Sequence, residues 1–384
     1  MAFEFATATR IIFGRGKFNK IGEYISKYGH RTFIVCGSFF ENNSVLREIL
    51  EDKKINYQFF SMNHEPTVEI VQSGVEEARK FCPEFIIGVG GGSALDCGKA
   101  ISALYTNTKE IFEYLEIIGS GNPLNKTPLP FIAVPTTAGT GAEVTKNAVL
   151  ESPEHGVKVS LRHDKMFPDL ALIDPELTAS MPLDVTAFTG MDALTQTIEP
   201  YVSKMSNPLT DSICIEGIRR AALHLLRVYK DGNDLEGREN MSLVSLFGGL
   251  ALANAKLGAV HGFAGPFGGM YKAPHGAVCA RLLPFVMKKN IETLEQREPH
   301  SEILGRYRKI SQLLTKKMDA DIYDGINWIM ELIGLMDIPR LSKYGFQEDA
   351  IPELIRKSKN ASSMKGNPIK LTDNEMESIL REAI

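Results

Sequence analysis

The sequence predicts an α/β N-terminal domain followed by an all-α helical C-terminal domain. A chain of 384 residues exceeds the size at which one hydrophobic core keeps growing, and 43% hydrophobic residues are enough to fill two cores. Up to about residue 180, short runs rich in Val, Ile and Phe alternate with longer amphipathic stretches. Beyond Met181 the strand signals disappear and helical patterns follow.

Each half is supported by its own elements. Strand patterns occupy residues 32–36, 57–60, 85–89, 131–134 and 171–173, and their alternation with helical stretches is typical of a parallel sheet. Helical patterns occupy residues 211–229, 241–255 and 301–314. Pro175 and Pro182 punctuate a polar connection between the halves. We therefore place the domains at residues 1–180 and 181–384.

Composition excludes several classes of function. With 43 basic and 47 acidic residues, the net charge of -4 favours neither nucleic acid nor an anionic membrane as a partner. The N-terminus lacks an apolar signal core and no stretch is apolar enough to span a membrane, so we expect a cytoplasmic protein that acts on small molecules. The five cysteines include no CxxC pair, which argues against disulfides and against a thiolate zinc site. We expect reduced core thiols.

A glycine loop follows the strand pattern that ends at Val89. Residues 90–93 read Gly-Gly-Gly-Ser and lead into a helical stretch that contains Asp96. Glycines let the backbone approach a ligand closely, and the N-terminus of a helix presents unpaired N–H groups to an anion. A pyrophosphate on Gly91, Gly92 and Ser93 fits this pattern. The alternative is a tight turn, but three consecutive glycines cost too much backbone entropy to be incidental.

A second loop follows the strand pattern at residues 131–134. It offers the hydroxyls of Thr136, Thr137 and Thr140 on flexible backbone. Loops at the carboxyl ends of one parallel sheet can converge on one ligand. Taken alone, this loop could equally be a threonine-rich turn whose hydroxyls bond to its own backbone.

A set of metal-ligating residues lies in the second half. Helical spacing places Asp192 and Gln196 one turn apart on one face. His261 and His275 are each followed by glycine, in a segment whose glycines and prolines predict a shaped loop between helices. Carboxylate and imidazole are the ligands of a catalytic zinc or iron ion. The alternative is a pair of hydrogen-bonded histidines near helix ends.

Taken together, these motifs resemble the iron-containing (group III) alcohol dehydrogenases of the dehydroquinate synthase-like superfamily. The resemblance implies a Rossmann-like dinucleotide-binding domain, a helical domain that carries the metal, and an active site in the cleft between them. It further implies NADP or NAD, one divalent ion (Fe²⁺ or Zn²⁺), a small alcohol, diol, hydroxyacid or aldehyde as substrate, and a homodimer or larger homo-oligomer.

The resemblance also assigns site residues. The metal positions match Asp192, His261 and His275, which are also the residues expected to be essential for catalysis, and Gln196 is a candidate fourth ligand. The cofactor pyrophosphate is expected on the glycine loop. The full set of candidate cofactor contacts is Gly37, Ser38, Gly91, Gly92, Ser93, Asp96, Thr136, Thr137, Thr140 and Lys158.

Three departures from the family pattern matter. Gln196 stands where the family has a second metal histidine, and a neutral amide is a weaker ligand. Gly265 stands where a histidine that could relay a proton is often found. At the end of the second strand, where NAD-preferring relatives have an acidic residue, Gly37 and Ser38 do not repel a 2′-phosphate. We therefore expect a slight preference for NADP, with no Lys or Arg beside these residues to strengthen it.

The hypothesis is hydride transfer to or from a nicotinamide, with the metal acting as a Lewis acid on the substrate oxygen. A metal-independent reductase of the same superfamily is the nearest alternative. A dehydroquinate-synthase-like lyase needs more basic residues than the segment at 261–275 provides. A non-catalytic nucleotide-binding protein is a third alternative, and three strong metal ligands kept together with both phosphate loops argue against it. Phe263, Phe267, Met270 and Tyr271 are candidates for the pocket wall or for the core.

Overall fold

The central strands of the sheet are apolar on both faces. The computed structural model describes residues 2–384 apart from the side chain of Phe39. The α/β unit contains β1 (Ile11–Phe13), α1 (Ile21–Ile25), β2 (Arg31–Gly37), α2 (Ser38–Glu41), α3 (Ser44–Asp52), β3 (Asn56–Met62), α4 (Val68–Phe81), β4 (Phe85–Gly90), α5 (Gly92–Thr106), β5 (Phe131–Pro135), β6 (Asn147–Ser152), β7 (Val157–Arg162) and β8 (Leu170–Ile173). Every residue of β4 is buried, as expected of a parallel strand covered on both sides.

Six strands form one parallel sheet in the order β1-β8-β5-β4-β2-β3. Helices α4 and α5 cover one face, and α1 and α3 cover the other, each over its own apolar core. The chain reverses its direction of winding between β2 and β4. The carboxyl ends of strands at such a switch point are where open α/β sheets bind ligands.

The five predicted strands are present, and three further strands escaped prediction. Strand β1 has only three residues, too few for a periodic signal. Strands β6 and β7 form an antiparallel hairpin in which alternate residues are buried, such as Ala148 and Leu150 on β6. That period of two was readable in the sequence.

The second unit consists of helices. They are α6 (Leu183–Val202), α7 (Pro208–Lys230), α8 (Leu235–Ala255), α9 (Ala259–Met270), α10 (His275–Arg297), α11 (Glu302–Thr315), α12 (Asp324–Leu335), α13 (Ile351–Ser358) and α14 (Asp373–Ala383). By contacts, the chain divides into Thr7–Thr137 with Gly141–Thr178, and Ala179–Ile384 with Ala138–Thr140 and the N-terminal residues up to Ala6. The architecture is the predicted Rossmann-like α/β unit followed by an all-α unit.

The loop predicted at residues 261–275 is wrong. Helix α9 covers Ala259–Met270, including Pro266, and only residues 271–274 connect it to α10. Gly262 serves packing rather than a turn, since a Cβ there would lie 2.7 Å from the Cε of Met364. Close helix contacts override the low helix propensity of glycine.

Among residues 2–384, no single helix is long and apolar enough to cross a membrane. One pair of successive helices, α8 and α9, meets the criteria of length and composition only when taken together, and it is bent by 98° at its break.

Candidate metal centre and nucleotide site

Helix α6 carries three polar side chains into the core of the helical unit. Asp192, Gln196 and Glu199 share one face of a helix whose residues are all buried from Gly190 to Val202. The amide Nε2 of Gln196 donates to Oδ2 of Asp192 at 2.9 Å. Its Oε1 is buried and has no hydrogen-bond partner among the described residues. A buried acceptor in that state is costly, so a cation or a water molecule beside it would stabilise the fold.

Glu199 anchors the N-terminus of α9 and orients His261. The backbone N–H of Val260 donates to Oε1 of Glu199 at 2.7 Å, and Nδ1 of His261 lies 2.6 Å from its Oε2. Nε2 of His261 then faces Oδ1 of Asp192 at 3.2 Å. A carboxylate behind a metal-ligating histidine fixes the tautomer that leaves Nε2 available. Sequence reasoning missed Glu199, although its spacing from Asp192 on one apolar helix was a usable signal.

Helix α10 contributes two more donors, one turn apart. Nε2 of His275 lies 3.9 Å from Oδ1 of Asp192, and its side chain is 35% exposed. Sγ of Cys279 lies 3.5 Å from Nε2 of His275. The donor atoms of Asp192, His261, His275 and Cys279 all lie within 4.8 Å of one another, and we name these four residues the donor cluster. Three are buried, and His275 marks its accessible side.

All five cysteines are free and four are buried, but Cys82 is exposed, so the expectation of core thiols is wrong for that residue. The buried Cys279 belongs to the donor cluster, although the sequence analysis argued against a thiolate metal site. Its position at i+4 from His275 puts both side chains on one face of α10. A single cysteine can therefore join a cluster of donors without a CxxC pair, which is the pattern that the sequence analysis sought.

The donor cluster is electrostatically coupled. Burial opposes the charged form of His261, but the Cys279 thiol and the Asp192 and Glu199 carboxylates raise its pKa well above the ordinary value. Burial would raise the pKa of Asp192, yet the hydrogen bond from His261 and the charges on His275 and His261 lower it. Protons on the imidazoles thus supply the positive charge that the buried acidic groups require. A divalent cation meets the same requirement, so the residues present fit a metal ion.

The sequence left open whether Phe263 and Phe267 line a pocket or lie in the core, and both lie in the core. Phe263 and Phe267 are fully buried in the helical core, where Phe267 packs edge-to-face on Phe346. Met270 and Tyr271 are only partly buried against that core. The side chains that surround the histidines in sequence therefore do not all surround them in space, because a helix directs neighbouring residues to different faces.

The two phosphate loops of the α/β unit lie side by side. Gly90 has φ +154°, and Gly91 is the N-cap of α5. The N–H of Thr136 donates to the carbonyl of Gly90 at 2.9 Å. A Cβ on Gly91 would lie 3.3 Å from Cγ2 of Thr137, so the side chain of the second loop flanks the first. Both loops leave the carboxyl ends of the adjacent strands β4 and β5, and the first turn of α5 begins there, as expected of an anion site.

Two candidate cofactor contacts are engaged with other protein groups. Asp96 accepts a hydrogen bond from the N–H of Val149 at 3.0 Å and pairs with Nζ of Lys99 at 2.9 Å, bracing α5 against β6. Lys158, on β7, pairs with Glu65 at 3.3 Å. Their contact with a cofactor stays a prediction, as does that of Thr140.

The end of β2 carries charges of both signs. Gly37 ends the strand and Ser38 begins α2. Burial raises the pKa of the neighbouring Cys36 thiol to about 12, with Glu41 raising it and Arg47 lowering it. Arg47 on α3 reaches α2, where its guanidinium donates to the carbonyl of Glu41 at 2.8 Å. No contact among the described residues places it at Gly37 or Ser38, so the expectation that no basic residue stands beside those two residues stays a prediction.

Comparisons with known proteins agree with this geometry. Residues 8–175 match the family model described as iron-containing alcohol dehydrogenase, and residues 186–384 match the C-terminal model of the same family. Alcohol dehydrogenase 4 of Saccharomyces cerevisiae is 30% identical over 97% of this chain and 96% of its own. The NADPH-dependent butanol dehydrogenase of Clostridium saccharobutylicum is 35% identical over 82% of this chain and 80% of its own.

A solved structure matches equally well. The crystal structure of a 1,3-propanediol oxidoreductase superposes with a TM-score of 0.92 at 30% identity and covers 100% of both chains. The family match selects a dehydrogenase over the lyase that the superfamily also contains. This chain therefore belongs to the iron-containing alcohol dehydrogenase family, as a metal-dependent, NAD(P)-linked oxidoreductase that acts on CH–OH groups.

Proposed function

We propose that Asp192, His261 and His275 are the metal ligands of this dehydrogenase. The observation that supports the assignment is the convergence of one carboxylate and two imidazoles from three helices on one small, mostly buried volume. Buried charge is costly unless it is paired or coordinates a metal. A divalent ion held there supplies Lewis acidity toward the oxygen of an alcohol or a carbonyl, and a nicotinamide supplies the hydride acceptor or donor.

The protein's own residues have separate roles in this proposal. Glu199 holds the Nδ1 proton of His261, so that Nε2 points toward Asp192. Gln196 holds Oδ2 of Asp192 and so directs Oδ1 toward the histidines. The partly exposed His275 faces the side from which a substrate oxygen can approach. These contacts fix the donors before substrate arrives, which lowers the reorganisation required during reaction.

The cofactor is proposed to bind at the two phosphate loops. Gly91, Gly92 and Ser93 present backbone N–H groups to its pyrophosphate, with Thr136, Thr137 and Thr140 beside them. Arg47, which donates to the backbone carbonyl of Glu41 on α2, supports the slight preference for NADP at Gly37 and Ser38, since a guanidinium attracts a 2′-phosphate. Glu41 at the same place opposes it, so we expect both cofactors to be used.

The substrate is proposed to be a short primary alcohol or diol, or the corresponding aldehyde. The named activities of the butanol and propanediol relatives support this class. A homodimer or larger assembly and a cytoplasmic location remain predictions, which size-exclusion chromatography with light scattering and cell fractionation would test.

The first experiment is metal analysis of protein purified without added metal. It is paired with NADH and NADPH oxidation against a panel of short aldehydes, before and after chelation. We expect about one zinc or iron per chain and turnover that is lost on chelation and restored by metal. Full turnover by metal-free protein would reject the ligand assignment and favour a metal-independent reductase.

A further inference from the structure

We propose that Cys279 binds the metal as a thiolate and is its fourth protein ligand, so that the centre is an Asp–His–His–Cys site selective for zinc over iron. The inference rests on the proposed function, because it extends the ligand set assigned there. It assigns the fourth place to a residue on α10 instead of Gln196 on α6.

The first argument is the distances between donor atoms. Zinc bonds of about 2.0–2.3 Å in a tetrahedron separate a nitrogen from a sulfur by about 3.6 Å and a nitrogen from an oxygen by about 3.3 Å. Sγ of Cys279 lies 3.5 Å from Nε2 of His275, and Nε2 of His261 lies 3.2 Å from Oδ1 of Asp192. A third edge, from Nε2 of His275 to Oδ1 of Asp192, is wider at 3.9 Å, and the other three edges lie within 4.8 Å. Two of these edges thus match a tetrahedral site closely.

The second argument concerns Gln196, the other candidate for the fourth place. Its Nε2 donates to Asp192. The Cβ of Gln196 packs closely against Gly248 of α8, where an added Cβ would lie 2.9 Å from it. These contacts give Gln196 the role of orienting Asp192, and they leave its buried Oε1 to be satisfied by a water molecule. An amide oxygen is also a neutral and weak donor, whereas a thiolate carries a full charge and a polarisable lone pair.

The third argument is the chemistry of the set. Binding converts the thiol to a thiolate and releases its proton to solvent, and the imidazole nitrogens that face the ion must also be unprotonated. The carboxylate and the thiolate then balance the two positive charges of the ion. Thiolate ligands select zinc over harder cations, and Zn²⁺ generally binds a given site more tightly than Fe²⁺ does. The accessible side at His275 leaves room for a fifth ligand, as catalytic zinc sites allow.

The test uses Co²⁺ as a spectroscopic probe. Metal-free full-length protein is titrated with Co²⁺ without oxygen, and a thiolate ligand gives a strong near-ultraviolet charge-transfer band that saturates at one equivalent. The variants are Cys279→Ser, Cys279→Ala and the matched control Cys214→Ser, a buried cysteine of the same helical unit. Circular dichroism and thermal unfolding of the metal-free proteins check that each variant folds.

We expect the band in the wild type and in Cys214→Ser and its loss in both Cys279 variants. Competition between Zn²⁺ and Fe²⁺ should show zinc affinity falling by more than about 100-fold in Cys279→Ser, above the 10–100-fold effect of losing an outer contact, with a smaller loss for iron. One equivalent of Co²⁺ bound without the band would overturn this inference and leave the three-ligand site intact. Absence of stoichiometric Co²⁺ binding would reject both proposals. The wild-type spectrum decides even where a variant fails to fold.

Discussion

The α/β unit and the helical unit build their candidate sites from different parts of the chain. At the turn from β4 to α5 the candidate binding groups are backbone N–H groups, and glycines leave space for a ligand beside them. In the donor cluster the candidate binding groups are four side chains, which three helices direct toward one another. The two sites should therefore fail in different ways: the first when atoms are added, the second when donor atoms are removed or neutralised.

The largest expected effect is that of removing charge from the donor cluster. Asp192→Asn keeps the shape of the side chain but replaces the carboxylate between the two histidines by a neutral oxygen. We expect kcat/KM to fall about 1000-fold, at the upper end of the loss of one oxyanion-stabilising group. Metal content and steady-state kinetics measure it. Retained metal with near-normal turnover would show that the Asp192 carboxylate is needed neither for metal binding nor for catalysis.

Glu143 gives a test of stability in the α/β unit, just after the second phosphate loop. Burial raises its pKa from 4.5 to about 7. The folded protein therefore binds a proton more tightly than the unfolded chain, and stability falls as pH rises from about 4.5 to about 7. Glu143→Gln removes this titration, so the variant should not lose this stability as pH rises. The difference in free energy of unfolding, variant minus wild type, should therefore increase by up to ~3 kcal/mol from about pH 4.5 to about pH 7. Urea unfolding at several pH values measures it. Parallel pH profiles would exclude Glu143 as the titrating group.

A substitution at Glu199 tests the carboxylate that orients His261 from behind. In Glu199→Gln only one oxygen remains to accept, so either the N–H of Val260 or the Nδ1 proton of His261 loses its acceptor. We expect zinc affinity to fall by about 10–100-fold, the usual effect of losing the partner behind a ligating histidine. Titration against a competing chelator measures it, with Glu292→Gln at the surface of α10 as the control. Equal affinities for the two variants would mean that packing alone orients His261.

The smallest expected effect is that of one methyl group in the glycine loop. Alanine at Gly90 would keep φ at +154° and place its Cβ 2.7 Å from that of Ala94. We expect Gly90→Ala to lose roughly 1–2 kcal/mol of stability and to raise the KM of the cofactor with little change in kcat. Thermal unfolding and steady-state kinetics measure the two effects.

The matched control for Gly90→Ala is Gly265→Ala on α9. No atom lies within 4 Å of the Cβ it would add, so stability should stay the same or rise by about 0.5 kcal/mol. If the two alanine variants behave alike, the glycine loop does not depend on the absence of side chains.

Several features followed from the sequence alone. Hydrophobic periodicity located strands β2, β3, β4, β5 and β8 and helices α7, α8 and α11, because each buries one face or both in a regular pattern. The glycine loop and the spacing of Asp192 and Gln196 were also local signals, readable within one turn. The prediction failed at α9, where glycines and Pro266 suggested a loop but tight packing, such as that of Gly262 on Met364, keeps the chain helical.

Only the tertiary structure decided which distant groups meet. Glu199 lies behind His261, Cys279 joins the donor cluster, and Arg47 on α3 reaches Glu41 on α2. Helical spacing could nominate Glu199 from Asp192 and Cys279 from His275, but the sequence does not show which faces of separate elements pack together. Periodicity specifies the faces of elements, whereas the packing of those faces against one another determines the neighbours of each side chain.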